Sequence, residues 1–148
     1  MEEEQLSTSL YKFPKPAKIL LIEDNEADII LTEKALTDCK IKADMVIAKD
    51  GEEALSLLRK NFCPDFILLD LNLPKISGHE LLALLKNNDQ WKQIPVVIFT
   101  ASDDIEDIQY AYGMYANCYV TKPITAAQFI NILRSLKDFW LTIVKLPT

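Results

Sequence analysis

The chain has 148 residues, of which 49% are hydrophobic and 26% are charged, and its formal net charge at pH 7 is −6. This composition is typical of one globular domain with a sizeable core, and the acidic balance argues against a surface that binds the nucleic-acid backbone. No apolar run reaches the roughly 20 residues that span a bilayer, and the acidic N-terminus does not resemble a secretory signal, so we expect a cytoplasmic protein that contacts neither membrane nor nucleic acid.

The first 16 residues differ in character from the rest of the chain. They are polar and acidic, and they end with Pro14 and Pro16, which disfavour the interior of a helix or a strand. We therefore predict an N-terminal arm over residues 1–16, one domain over residues 17–140 and an apolar C-terminal extension over residues 141–148, with no second domain.

From residue 17 onward, short apolar runs alternate with helical patterns. Continuous apolar runs are typical of strands that are buried on both faces, and spacing of three to four residues is typical of helices. In chain order, the patterns predict a strand over 18–22, a helix over 25–38, a weaker strand over 44–48, a helix over 50–60, a strand over 66–69, a helix over 78–87, a strand over 96–99, a helix over 103–115, a strand over 118–120 and a last helix after Thr125. Asp50 and Ser77 are the expected N-caps of two of these helices. The alternation predicts an α/β fold in which a doubly wound, five-stranded parallel sheet carries helices on both faces.

Polar side chains follow four of the five predicted strands. Glu23 and Asp24 follow the first strand, and Asp70 follows the third, which we expect to be central. Thr100 follows the fourth strand and Lys122 follows the fifth. The carboxyl ends of parallel strands meet at one edge of a sheet, and this edge is where open α/β sheets bind ligands. We therefore expect three carboxylates, one hydroxyl and one ammonium to lie close together.

This set of groups suits phosphoryl chemistry. A carboxylate such as Asp70 can act as a nucleophile toward phosphorus and form an acyl phosphate. Three neighbouring carboxylates repel one another unless a cation lies among them, and Mg²⁺ accepts carboxylate, carbonyl and phosphate oxygens. The backbone carbonyl of Asn72 could supply one further oxygen, while Lys122 and Thr100 could bind phosphoryl oxygens. Each residue taken alone has a simpler interpretation, such as a helix cap or a loop residue, and only the joint pattern favours a site.

The same residues resemble the receiver domain of two-component response regulators over about residues 17–140. The motifs that carry the resemblance are an acidic pair, an aspartate, a Thr-Ala pair and a Lys-Pro pair after successive strands, here Glu23-Asp24, Asp70, Thr100-Ala101 and Lys122-Pro123. Pro74 and Gly78 also match the family pattern after the central aspartate. The resemblance implies the flavodoxin-like receiver fold with strand order 2-1-3-4-5.

The resemblance also implies a phosphoacceptor and a metal site. Asp70 would accept a phosphoryl group from the phosphohistidine of a histidine kinase. Glu23, Asp24, Asp70 and the backbone carbonyl of Asn72 would hold Mg²⁺. The protein would then be a phosphoacceptor with self-dephosphorylation at most, and not an enzyme.

A second group of residues would bind the phosphoryl group or respond to it. Thr100 and Lys122 would contact the phosphoryl oxygens, with Ala101 beside them. Tyr119 lies where the family has its switch aromatic, and its ring would turn inward as Thr100 moves. The peptide bond before Pro123 is expected to be cis.

A narrower resemblance concerns residues 116–123 and 138–147. These segments look like the stand-alone response regulators that partner cyanobacterial phytochromes, which implies a phytochrome-type histidine kinase as phosphodonor and a homodimer. The apolar tail supports the homodimer independently through Phe139, Trp140, Ile143 and Val144, although it could instead fold back on its own core. With no effector domain, output would run through protein contact, dimerisation or phosphate relay.

Three alternative functions would need other residues or use the same fold differently. An aspartyl-phosphate phosphatase of the haloacid dehalogenase type needs a second aspartate where Asn72 stands. A flavodoxin-like cofactor binder needs a phosphate loop rich in Gly, Ser and Thr, whereas residues 23–26 are mostly acidic. An interaction module that uses the receiver fold without phosphorylation remains open. The only histidine, His79, is expected to be a surface residue, because no second His or Cys completes a metal site.

Overall fold

Five parallel strands and four helices alternate in a computed structural model, which describes residues 17–38, 43–122, 125, 127–128 and 131. The strands are β1 (Ala17–Ile22), β2 (Ala43–Ala48), β3 (Phe66–Leu69), β4 (Val96–Thr100) and β5 (Cys118–Thr121). The helices are α1 (Glu26–Asp38), α2 (Gly51–Arg59), α3 (Gly78–Lys86) and α4 (Ile105–Gly113). In the part of the chain that the structure describes, none of the helices is long and apolar enough for a membrane crossing.

The strands form one sheet in the order β2-β1-β3-β4-β5, and every neighbouring pair is parallel. The predicted strand order and direction are therefore confirmed. Strand β3 lies at the centre, where Leu68 pairs with Leu21 of β1 on one side and with Val97 of β4 on the other. Parallel neighbours require crossover connections, and the described helices α1 to α4 lie in these connections. All five carboxyl ends consequently point to one edge.

The core consists of two layers because successive strand residues point to opposite faces of the sheet. One layer packs the sheet against α1 through Ile19, Leu21, Ile29, Ala35, Leu36, Leu68, Val97 and Phe99. The other layer packs the sheet mainly against α2 and α3 through Leu20, Ile22, Leu55, Leu58, Ile67, Leu69, Leu81, Leu82, Leu85 and Ile98. Burial of each large aliphatic side chain contributes about 1.5–3 kcal/mol, so both layers fix the strands that position the polar edge.

Helix starts are set by side-chain caps at the carboxyl edge of the sheet. Asp50 Oδ1 accepts the backbone N–H of Glu53 at 2.8 Å, and Ser77 Oγ accepts that of Glu80 at 3.2 Å, which confirms both predicted caps. Helix α1 is capped by Asn25, whose Oδ1 accepts the backbone N–H of Asp28 at 3.0 Å. Because Asn25 provides this cap, Glu23 and Asp24 are left for other contacts.

Helix α4 is shorter than the predicted helix over 103–115. Asp104 is extended, and its backbone N–H donates to Ser102 Oγ at 3.3 Å, which delays the helix until Ile105. At the other end, Tyr115 has a left-handed backbone conformation with φ of 66°, which α-helical geometry does not permit. The acidic residues 103–104 therefore lie before the helix, with Asp104 at the N-cap position, and do not form its first turn.

The start of the predicted last helix is described, whereas several other predictions fall outside the described residues. Thr125 Oγ1 accepts the backbone N–H of Gln128 at 3.2 Å, and Gln128 Oε1 accepts that of Thr125 at 3.3 Å. This reciprocal pair is a capping box, and it agrees with a helix that starts after Thr125. Outside the described residues lie the predicted arm (1–16), the extension (141–148), the cis bond at Pro123 and the dimer candidates Phe139, Trp140, Ile143 and Val144.

Candidate functional site

The structure brings together the polar residues that follow the strands. Glu23 and Asp70 follow directly after Ile22 and Leu69, which are register partners in β1 and β3. Thr100 ends β4, and its carbonyl accepts the backbone N–H of Lys122 at 2.7 Å. The sheet therefore assembles a polar group that the chain spreads over a hundred residues, as the sequence predicts.

The ammonium of Lys122 lies at the centre of this group. It donates to Glu23 Oε1 at 2.5 Å, to Asp28 Oδ2 at 2.7 Å and to Asp70 Oδ2 at 2.9 Å. An ammonium has three N–H donors, and here each meets a different carboxylate. We refer to Lys122, Glu23, Asp28, Asp70 and Thr100 as the Lys122 cluster. Burial disfavours the charged form of Lys122, but its three carboxylate partners outweigh burial and raise its pKa above the ordinary value.

Both carboxylate oxygens of Asp70 accept hydrogen bonds. Oδ1 accepts the hydroxyl of Thr100 at 2.8 Å and the backbone N–H of Asn72 at 3.1 Å, while Oδ2 accepts Lys122. The residue is only 5% exposed. Burial opposes the charged form, but the neighbouring Glu23 side chain, the Lys122 ammonium and the Asn72 N–H together hold the pKa of Asp70 below its ordinary value. Asp70 is therefore a carboxylate at neutral pH, which is the form that can act as a nucleophile.

Glu23 has the opposite perturbation. It is 2% exposed, and burial together with the neighbouring Asp70 carboxylate raises its pKa to about 7, although Lys122 acts in the other direction. The Lys122 cluster holds three carboxylates and one ammonium, so negative charge is in excess. A divalent cation would offset this excess.

Three carboxylates at this edge fit a divalent cation. Glu23, Asp24 and Asp70 can each offer an oxygen such that these oxygens lie within 4.8 Å of one another. Glu23 and Asp70 are buried, whereas Asp24 is exposed, so the set is open to solvent on one side. Hard oxygen ligands of this kind suit Mg²⁺ or Ca²⁺ better than softer metals. Asn72 contacts Asp70 through its backbone N–H, and its carbonyl as a metal ligand stays a prediction.

The expected switch residues lie next to the Lys122 cluster. Thr100 is completely buried, and Ala101 directly after it is exposed. The hydroxyl of Tyr119 donates to the backbone carbonyl of Ser102 at 2.7 Å, and its half-buried ring packs against the core. Burial raises the pKa of the Tyr119 phenol. Tyr119 is thus linked to the loop that begins at Thr100, while its movement stays a prediction.

Sequence reasoning missed Asp28, which contributes the third carboxylate of the Lys122 cluster. Asp28 lies in the first turn of α1 and its carboxylate faces the Lys122 ammonium. A signal was available, because Asp28 is the third residue after Asn25, which caps α1. The first turn of the helix that follows β1 lies at the carboxyl edge of the sheet, so Asp28 could have been placed near the same edge.

A second polar network links α3 to α4. His79 Nε2 lies 2.7 Å from Asp107 Oδ1, and Ser102 Oγ donates to Asp107 Oδ2 at 2.6 Å. The His79 ring also meets the Tyr110 ring edge-on, with centroids 4.5 Å apart. We refer to His79, Asp107 and Ser102 as the His79 bridge. The expected surface position of His79 needs correction, because the side chain is half-buried between two helices.

Gly78 connects the two networks. Its backbone N–H donates to the carbonyl of Leu71 at 3.1 Å, directly after Asp70. A Cβ at Gly78 would lie 2.4 Å from Leu71 Cα and 2.5 Å from the Asp70 carbonyl oxygen, which is closer than any side chain allows. The absence of a side chain therefore lets the start of α3 pack on the loop that follows Asp70.

Comparison with known proteins gives the same family assignment. A family model described as the response regulator receiver domain matches residues 19–134. The response regulator Rcp1 of Synechocystis sp. is 38% identical over 138 residues, which cover 89% of this chain and 94% of Rcp1. Among solved structures, the phosphorylated cyanobacterial phytochrome response regulator RcpA is 40% identical with a TM-score of 0.83, and the match covers 90% of this chain and 99% of RcpA.

The Mn²⁺-bound form of Rcp1 is a further structural match. It has a TM-score of 0.81 and 38% identity, and the match covers 90% of this chain and 100% of that chain. Fold, strand-end residues and relatives thus agree. The chain belongs to the response regulator receiver domain family and is related to the phytochrome response regulators.

Proposed function

We propose that Asp70 accepts a phosphoryl group from the phosphohistidine of a histidine kinase in a Mg²⁺-dependent reaction. The observation that carries the proposal is the Asp70 carboxylate itself, which is charged, buried and in contact with both Lys122 and Thr100. An Asp70 oxygen attacks phosphorus and forms an O–P bond, and the N–P bond of the phosphohistidine breaks. The histidine nitrogen keeps the electron pair of that bond and takes up a proton.

The residues of the Lys122 cluster have different roles around Asp70. Lys122 offers positive charge, and Thr100 offers a hydroxyl donor, both within hydrogen-bond distance of the oxygens that become part of the acyl phosphate. Glu23, Asp24, Asp70 and the Asn72 carbonyl would hold Mg²⁺. When bound there, Mg²⁺ supplies positive charge that reduces the repulsion between the carboxylate and the anionic phosphoryl group.

The contacts of Thr100 and Tyr119 support a conformational response. Thr100 donates its hydroxyl to Asp70, so a phosphoryl group on Asp70 offers a competing acceptor for the same donor. Movement of Thr100 would displace the loop that carries Ala101 and Ser102, and the Ser102 carbonyl is the acceptor for Tyr119. Phosphorylation would therefore bias a two-state element made of Thr100, Tyr119 and the loop between β4 and α4.

A phytochrome-type histidine kinase is the phosphodonor that the relatives favour. RcpA is described as a cyanobacterial phytochrome response regulator, and it is 40% identical to this chain. A homodimer formed through Phe139, Trp140, Ile143 and Val144 is the second part of the proposal, and it depends on the apolar character of the tail sequence. The protein would act as a phosphoacceptor, with self-dephosphorylation at most.

Acetyl phosphate and Mg²⁺ provide a direct test that needs no kinase. Intact mass spectrometry of the wild type should show one phosphoryl adduct that depends on Mg²⁺. Asp70→Asn should show none, while Asp107→Asn, which removes a carboxylate outside the Lys122 cluster, should be labelled like the wild type. Sedimentation of the same samples tests the homodimer, and a monomer at every concentration would contradict it.

An alternative outcome favours a different function. If folded wild-type protein forms no adduct with Mg²⁺ present, Asp70 is not a phosphoacceptor under these conditions. The chain would then be an interaction module that uses the receiver fold without phosphorylation.

A further inference from the structure

Asp28 occupies a fixed position in the first turn of α1. Its backbone N–H is held by Asn25 Oδ1 at 3.0 Å, and its carbonyl accepts the Thr32 hydroxyl at 2.7 Å. Its carboxylate Oδ2 lies 2.7 Å from the Lys122 ammonium, and the side chain is 30% exposed. The helix start therefore presents a carboxylate to Lys122 from outside the sheet.

The three partners of Lys122 differ in what else they can bind. Glu23 and Asp70 belong to the set of oxygens that fits a divalent cation, whereas Asp28 does not. A cation that takes oxygens of Glu23 and Asp70 competes with Lys122 for these two carboxylates. Asp28 is the partner in the Lys122 cluster that this competition does not involve.

We propose that Asp28 is a positioning residue for Lys122, because it holds the ammonium on the α1 side of the Lys122 cluster. Held there, Lys122 leaves oxygens of Glu23 and Asp70 available to a divalent cation and still lies within reach of Asp70. Without Asp28, the ammonium keeps Glu23 and Asp70 as its carboxylate partners among the described residues, and it opposes cation binding more strongly. The expected effect of Asp28 on the reaction of Asp70 rests on the proposed phosphoacceptor function. The expected effect on cation binding does not.

Mg²⁺ binding to the unphosphorylated full chain tests this inference by isothermal titration calorimetry. Asp28→Asn keeps the shape of the side chain and removes its charge, and we expect several-fold weaker Mg²⁺ binding, because the Lys122 ammonium then competes more strongly with the cation for Glu23 and Asp70. Glu33→Gln removes the same charge from an exposed position of α1, and it should bind Mg²⁺ like the wild type. Asp28→Glu retains the charge and should recover most of the lost affinity. Circular dichroism confirms that each variant is folded.

The Lys122→Met background separates an effect through Lys122 from a direct effect of charge on the cation. If Asp28 acts through Lys122, Asp28→Asn should weaken Mg²⁺ binding much less in this background than in the wild type. An equal loss in both backgrounds would overturn the inference, as would unchanged Mg²⁺ binding in Asp28→Asn alone. The Asp28→Asn and Asp28→Glu comparison stands even if Lys122→Met does not fold.

Labelling with acetyl phosphate at saturating Mg²⁺ distinguishes this inference from the proposed function. Asp28→Asn should form the adduct several-fold more slowly than the wild type, because Lys122 is no longer held in place. A wild type that forms no adduct overturns the phosphoacceptor proposal and leaves the Mg²⁺ comparison intact. A wild type that forms the adduct beside an Asp28→Asn variant with the same rate overturns only the contribution of Asp28 to the reaction.

Discussion

The Lys122 cluster and the His79 bridge meet at the end of β4 but differ in burial and in charge. Thr100 of the Lys122 cluster and Ser102 of the His79 bridge are separated by one residue. The Lys122 cluster is largely buried and holds three carboxylates around one ammonium. The His79 bridge joins one histidine to one carboxylate, with each side chain about 30% exposed (29% and 32%).

Burial decides how much such electrostatic contacts contribute to the stability of the fold. Solvent screens partly exposed pairs, so their net contribution is small. A buried carboxylate that loses its partner is not solvated by water, so breaking such a pair strongly destabilises the folded state. The Lys122 cluster should therefore contribute several times more to the free energy of unfolding than the His79 bridge does. The shortest contacts in the two networks nevertheless have similar lengths.

The largest effect should follow from Lys122→Met. The variant leaves Glu23, Asp28 and Asp70 facing one another, and we expect a loss of about 3 kcal/mol in the free energy of unfolding. Urea denaturation at neutral pH with a chelator measures it, and added Mg²⁺ should restore part of the loss. Lys75→Met is the control, because Lys75 is exposed and its two acidic partners lie 3.4 and 3.7 Å away. An equal effect at both lysines would contradict the comparison.

Gly78→Ala should disturb both networks at once, since Gly78 links them. The added Cβ would lie 2.4 Å from Leu71 Cα, so the start of α3 must move, and we expect a loss of about 2 kcal/mol in stability. Gly113→Ala serves as control because nothing lies within 4 Å of its Cβ, and a slight gain in stability is expected there. Thermal denaturation of the two variants provides the measurement. If Gly78→Ala melts like the wild type, α3 does not depend on the close contact.

The pH dependence of stability should reveal the excess negative charge of the Lys122 cluster. The pKa of Glu23 rises from 4.5 when unfolded to about 7 when folded, so the folded state binds the proton more tightly. Stability should therefore fall as pH rises from 4.5 to 7, by about 2 kcal/mol. Asp70 has a lowered pKa, and its contribution is lost only as pH falls below its ordinary value of 3.8, outside this window.

Urea denaturation of the wild type and of Glu23→Gln, both in chelator, measures this slope. The variant has no carboxyl group to titrate at this position, so its stability should vary less between pH 4.5 and 7. Parallel curves for the two proteins would show that Glu23 does not titrate in this range.

The smallest effect is expected for the His79 bridge. A double-mutant cycle with His79→Asn and Asp107→Asn should give a coupling of about 0.5 kcal/mol, because both side chains are partly exposed. The exposed pair of Lys92 and Asp89 should show no measurable coupling in the same cycle. A coupling at the His79 bridge as large as the Lys122→Met effect would remove the distinction between the two networks.

The sequence predicted much of the fold and the core of the site because both follow from periodic patterns. The apolar runs of β1, β3 and β4 are continuous since these strands are buried on both faces, and the residues directly after them must meet at one edge. Glu23, Asp70, Thr100 and Lys122 could therefore be placed together without any coordinates. The helix caps Asp50 and Ser77 were predictable for a similar reason, since a local hydrogen bond sets each one.

Contacts between helices could not be predicted in this way. His79 and Asp107 are 28 residues apart, and no periodicity relates a residue of α3 to one of α4. The end of α4 was also missed, because Tyr115 is not a residue type that signals a left-handed conformation. Asp28 is an intermediate case, because its position on α1 was predictable while its contact with Lys122 depends on how α1 packs on the sheet.

The hydrogen bonds to both Asp70 oxygens have a consequence for genetic imitation of the phosphorylated state. An aspartate is often replaced by glutamate in the hope that the longer acid mimics a phosphorylated side chain. Asp70 is only 5% exposed, and its oxygens already contact Thr100, Asn72 and Lys122. The extra methylene of a glutamate would therefore crowd these neighbours. Such a variant would report on crowding and displaced hydrogen bonds rather than on phosphoryl charge. A small inorganic phosphoryl analogue, which leaves the side chain at its native length, is the better probe of the active state.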